Sequence, residues 1–96
     1  MQESILITND DKGGYFYVEV DEKTEAKMTF VFAGTEKFII DHTEVNDGNN
    51  GKGFGKKMFL KAVEFAREKN MKIIPLCPFA KSMFDKSHDY DDVLNK

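Results

Sequence analysis

Between Val45 and Phe54 the sequence changes its period. Before this stretch, apolar residues alternate as they do along strands; after it they recur every three or four positions, as along a helix. The changeover runs through HTEVNDGNNGKGFGKK (42–57), with four glycines in eight residues: Gly48, Gly51, Gly53 and Gly55. A strand, a glycine-rich turn and a helix in immediate succession fix the chain's direction at this point. They also build a particular surface. Glycines let backbone amides approach a ligand closely, and a helix start offers unpaired N–H groups with a partial positive charge. Lys52, Lys56 and Lys57 stand where the helix dipole disfavours cations by about 0.3–1 kcal/mol each. An anionic ligand at the turn offsets that cost, although a ligand-free loop with a solvated lysine face satisfies the same pattern.

The flanking segments supply the rest of the fold. SILIT (4–8), YFYVEV (15–20), AKMTFVFA (26–33) and KFIIDHTEV (37–45) read as strands joined by short polar turns, which predicts a four-stranded antiparallel meander. From Phe54, the residues Met58, Phe59, Ala62, Val63 and Ala66 form one helical stripe, and Asn70 is a suitable helix end. KIIPLC (72–77) is almost unbroken in its apolar character, the pattern of a strand covered on both faces. Strand, helix, strand implies a crossover that sets this fifth strand parallel to the fourth. Pro78 can open a short last helix with Phe79, Met83 and Phe84 on its inner face. The fold class is therefore α+β, one domain over residues 1–96.

Composition narrows the function. A net charge of −3 gives no overall basic balance for nucleic acid, and no apolar run reaches the roughly 18 residues of a membrane span. The start of the chain lacks the basic and apolar regions of a secretory signal, and a single cysteine suits a reducing cytoplasm. The turn is no P-loop, since no Gly-Lys-Ser/Thr follows, and its glycine spacing departs from the dinucleotide fingerprint.

Asn50-Gly51-Lys52-Gly53-Phe54-Gly55 resembles the acetyl-CoA pyrophosphate loop of the GNAT (GCN5-related) N-acetyltransferases, Q/R-x-x-G-x-G/A. His42-Thr43-Glu44-Val45 before it and IIPLCPFAKSMFDKSHDY (73–90) after it resemble a small subfamily of about this size, so the likeness spans residues 13–94. Position 50 is Asn where the loop has Gln or Arg, and residues 46–49 are NDGN where relatives often carry prolines. The resemblance implies a reduced GNAT fold in which strands four and five splay apart around acetyl-CoA. Its pantetheine arm would pair with the backbone near Glu44 and Val45. Its pyrophosphate would rest on Asn50, Gly51, Lys52, Gly53, Phe54, Gly55 and Lys56. His42 and Cys77 would then flank the thioester from the same cleft. Between the first two strands there is no room for the helices that shape the acceptor site in longer relatives, so the acceptor amine stays unidentified.

Cys77 as a catalytic thiol competes with Cys77 as a small buried hydrophobe. His42 as a general base competes with a hydrogen-bonded histidine at a strand end. Glu44 can assist as a base or cap loop amides, while His88 and Tyr90 read as structural. His42, Cys77 and His88 match no zinc spacing, so no metal is expected. The leading expectation is acetyl transfer from acetyl-CoA to an amine, by a monomer or homodimer. The alternative is a CoA- or acyl-CoA-binding module with little catalysis.

Overall fold

The computed structural model describes residues 2–49 and 51–96, so Asn50 lies outside the described residues. Strands β1 (Glu3–Asn9), β2 (Gly13–Val20), β3 (Lys23–Phe32) and β4 (Lys37–Val45) precede helix α1 (Phe54–Lys69). Strand β5 (Lys72–Pro75), helix α2 (Pro78–Lys86) and a 3-10 turn (Asp91–Val93) complete the chain. The sheet order is β1-β2-β3-β4-β5, antiparallel up to β4 and parallel between β4 and β5.

Turn chemistry sets the meander. Asp10 accepts from the backbone N–H groups of Lys12 and Gly13 at 2.8 and 3.1 Å. These bonds stabilise the carboxylate and hold its pKa below the usual range. Between β2 and β3, Asp21 and Glu22 both have positive φ, 50° and 71°, the hand that suits two-residue hairpin loops.

Alternation along each strand then sorts the side chains. Phe16, Val18, Met28, Phe30, Phe38 and Ile40 are buried on one face, against the α1 stripe of Phe54, Met58, Phe59, Ala62, Val63 and Ala66. Phe30 is the centre of an aromatic cluster, 4.9 Å from Phe16 and 5.3 Å from Phe38. Each such side chain contributes about 1.5–3 kcal/mol of burial. Both helices pack on this side, and among the described residues the opposite face of the sheet carries no helix.

Two features depart from simple periodicity. The segment read as a strand over 72–77 ends at Pro75, and only Ile73 in it is fully buried. It is an edge strand, not one covered on both faces: its outer side receives the chain's tail, with Asn95 N donating to Ile73 O at 2.9 Å. The second is a bulge in β4. Thr29 faces His42 and Phe30 faces Ile40, which leaves Asp41 as an extra residue in the strand.

Candidate active site

The glycine turn opens into a cleft of about 570 Å³ between β4, the start of α1, and α2. Thr43 and Val45 form one wall, Gly51, Gly53, Gly55 and Lys56 the base, and Phe79, Met83 and Lys86 the other wall. Gly51 and Gly53 have φ of 82° and 75°, left-handed values that other residues adopt only with strain. Gly53 caps α1 without a side chain, and the first turn contains no acidic residue. Because Lys57 N is bonded to Gly53 O at 3.0 Å, the N–H groups of Phe54, Gly55 and Lys56 precede the first helical bond and have no intrahelical partner. This is a donor-rich surface suited to an anion.

The lysines divide. Lys57 is drawn away to Glu3 on β1. Lys52 donates to Asn49 Oδ1 at 3.0 Å, and Lys56 lines the cleft, where Lys86 of α2 joins it. Asn49 holds the loop against the sheet. It is buried, and its side-chain amide donates to Glu25 Oε1 at 3.3 Å and Asn46 O at 3.2 Å. Gly55 serves packing: a Cβ there would lie 2.8 Å from the Phe79 ring.

Along the cleft wall, β4 outruns its neighbour. β5 pairs only with Lys37–Ile40; then Leu76 N and Cys77 N both turn to Ile40 O, at 3.0 and 3.1 Å. Beyond that point Asn46 N bonds to Glu25 O and His42 O accepts from Thr29, so the even-numbered residues face β3. Thr43 and Val45 therefore turn their backbone N–H and C=O toward the unpaired edge. An extended amide-bearing arm can add there as a strand would.

Cys77 closes the inner end of this region. It is 4% exposed and forms the N-cap of α2, its Sγ accepting from Ala80 N at 3.3 Å and lying 3.2 Å from Thr43 Oγ1. His42 lies elsewhere. Its side chain is 66% exposed, 3.5 Å from Glu44, on the sheet's uncovered face. The two residues expected to share one cleft are thus on opposite sides of the sheet, Thr43 being the β4 side chain that meets Cys77. The bulge is the reason, since the extra Asp41 reverses which residues point toward the helices.

Residues 15–93 match the family described as GCN5-related N-acetyl-transferase. The chain belongs to that family. The solution structure of a GCN5-like putative N-acetyltransferase from Staphylococcus aureus is similar at 41% identity and a TM-score of 0.72, covering 94% of this chain and 87% of that one. The ribosomal-protein-alanine N-acetyltransferase of Brucella melitensis biovar Abortus 2308 shares the fold at 18% identity and a TM-score of 0.67, over 81% of this chain and 64% of that one. Nourseothricin acetyltransferase shares it at 19% identity and a TM-score of 0.61, over 81% of this chain and 50% of that one. No protein of curated function matches. The five-stranded mixed sheet with its parallel β4–β5 pair is the fold of this acetyltransferase family.

Several cleft residues are not marked as site residues by the sequence. Thr43, Asn49, Phe79, Met83 and Lys86 reach the cleft from three separate segments, and only the fold gathers them. Neither His88 nor Tyr90 is among the residues lining the cleft. His88 meets Asp91 at 3.1 Å, and Tyr90 packs edge-on against Phe59 at 5.2 Å. Among the described residues no helix is long and apolar enough to cross a membrane, and no group of three His, Cys, Asp or Glu is placed to hold a metal.

Proposed function

We propose that this member of the family transfers an acetyl group from acetyl-CoA to an amine. The observation that carries the reading is the meeting, in one cleft, of a donor-rich helix start with the unpaired edge of β4. In this reading the pyrophosphate rests on the amides from Gly51 to Lys56, with Lys56 and Lys86 as counter-charges. The pantetheine amides pair with Thr43 and Val45, which brings the thioester to the gap where β4 and β5 part. The N–H groups at that edge stabilise the carbonyl oxygen as it gains charge, and most of the acceleration comes from this placement. On the uncovered side of that gap, outside the cleft itself, His42 takes one proton from the acceptor ammonium as it approaches from that face. The freed amine forms the N–C bond, the C–S bond breaks, and the nitrogen's second proton ends on the departing sulfur, by way of Cys77 and Thr43.

Thermal shift with CoA tests the donor half: stabilisation that rises with ligand concentration supports it, and none overturns it. Release of free CoA from acetyl-CoA, measured over a panel of amines and peptides, tests transfer. Release at the blank rate throughout, with CoA stabilisation intact, favours a CoA-binding module with little catalysis.

A further inference from the structure

We infer that the uncovered face of the sheet beside the β4 bulge is the acceptor's docking surface, and that the acceptor is a lysine-bearing polypeptide segment. This rests on the acetyl-transfer reading of the cleft on the other face. Val31, Ile39 and Ile74 stand side by side in register on β3, β4 and β5, and all three point away from the helices. Val31 is 42% exposed, and Leu76, just beyond β5, is 65% exposed. Single exposed aliphatics are ordinary, but a registered row across three strands is a patch.

Lys37 and Lys72 border that row on one side, and its other flank, toward the bulge, is acidic. Asp41, the extra residue of the bulge, accepts from Thr29 Oγ1 at 2.5 Å, and Glu44 approaches only His42 among the ion pairs of the described residues. Lys27, directly across from Glu44, is drawn aside over the Tyr15 ring at 4.5 Å. The two carboxylates therefore remain available to an incoming ammonium group. Charge and apolarity together fit a cationic side chain carried on an apolar backbone segment. Small amines are normally held in concave sites, whereas this face is an uncovered sheet, suited to a flat macromolecular contact. It also lies beside Ile40, the point where β4 and β5 diverge and from which the unpaired edge of β4 runs on.

The test uses the full chain saturated with CoA. A short peptide with one lysine between leucine and isoleucine, blocked at both ends, is titrated while backbone amide resonances are followed by NMR. Shifts at Val31, Ile39, Asp41, Ile74 and Leu76 are expected; shifts confined to the helix side, or none at millimolar peptide, overturn the inference. In the kinetic arm, Leu76→Asp and Asp41→Lys should each raise KM for the peptide at least tenfold with a smaller change in kcat, leaving CoA stabilisation as in the wild type. Unchanged KM in both variants, or a small amine such as phenethylamine matching the peptide in kcat/KM, overturns it. If CoA fails to stabilise the wild type, the donor reading fails and this one with it; CoA stabilisation without the mapped shifts removes this inference alone.

Discussion

The sulfur of Cys77 lies 3.2 Å from Thr43 Oγ1 and 3.3 Å from the backbone nitrogen of Ala80. One small side chain thus joins the wall of the cleft to the start of α2, at the place where β4 and β5 separate. Its position serves the architecture and the chemistry at once, and the two contributions can be separated by substitution.

Cys77→Ala removes the N-cap acceptor and should cost about 1 kcal/mol of stability, within the usual range for lost caps. Cys77→Ser keeps a capping atom, and serine is among the favoured N-cap residues, so it should cost less than Cys77→Ala in chemical denaturation. If the thiol carries a proton to the departing sulfur, both variants lose turnover in the CoA-release assay while CoA stabilisation persists. Wild-type turnover in Cys77→Ser would reduce Cys77 to a structural cap.

Gly53→Asp separates folding from anion binding. Aspartate tolerates the left-handed backbone better than most residues, and its charge at a helix start is favourable by about 0.3–1 kcal/mol. The variant should therefore fold, yet repel the pyrophosphate and lose the thermal shift with CoA. A retained shift would remove the phosphate assignment from this turn.

Gly55→Ala sets two effects against each other. Alanine is favoured over glycine in a helix interior by about 1 kcal/mol, an upper bound for Gly55 in the first turn, while overpacking costs about 1–3 kcal/mol. With the new Cβ only 2.8 Å from the Phe79 ring, overpacking should win, and denaturant midpoints should fall. In a Phe79→Ala background the same change should stabilise the protein. A double-mutant cycle with no coupling between the two sites would contradict this packing role.

The tail's anchor predicts a pH dependence. Arg67 holds Asp92 with two bonds of 2.9 Å, and the hydrogen bond from its guanidinium keeps that carboxyl below its ordinary value of 3.8. A depressed folded-state pKa contributes stability that is complete above the unfolded value and is lost as pH falls through the folded one. Asp92→Asn should therefore melt below wild type by a constant margin near neutrality. That margin should narrow once pH drops under 3.8. A margin independent of pH would show that the ion pair adds nothing; the pair is exposed, so the effect should be small.

Much of this molecule is legible in the sequence. Alternation in YFYVEV and AKMTFVF marks the meander, the stripe from Phe54 to Ala66 marks the crossover helix, and the two together demand a parallel β5. The ordered segments HTEV, GKGFG and PLCPF also carry the family resemblance. These are local signals, set by the period of one element or the conformational freedom of one turn.

What needed the tertiary structure is whatever depends on two segments at once. Gly53 and Gly55 look alike in sequence, but one turns the backbone and the other makes room for Phe79, 24 residues further on. Alternation counted from Ile40 would send His42 toward the helices and Thr43 away. The bulge at Asp41 reverses both, so Thr43 meets Cys77 and His42 faces the open side. The sequence by itself determined the elements, their order and the loop suited to an anion. Which side of the sheet each candidate residue serves was decided only by the register between β3 and β4, because a one-residue shift in pairing inverts every side chain beyond it.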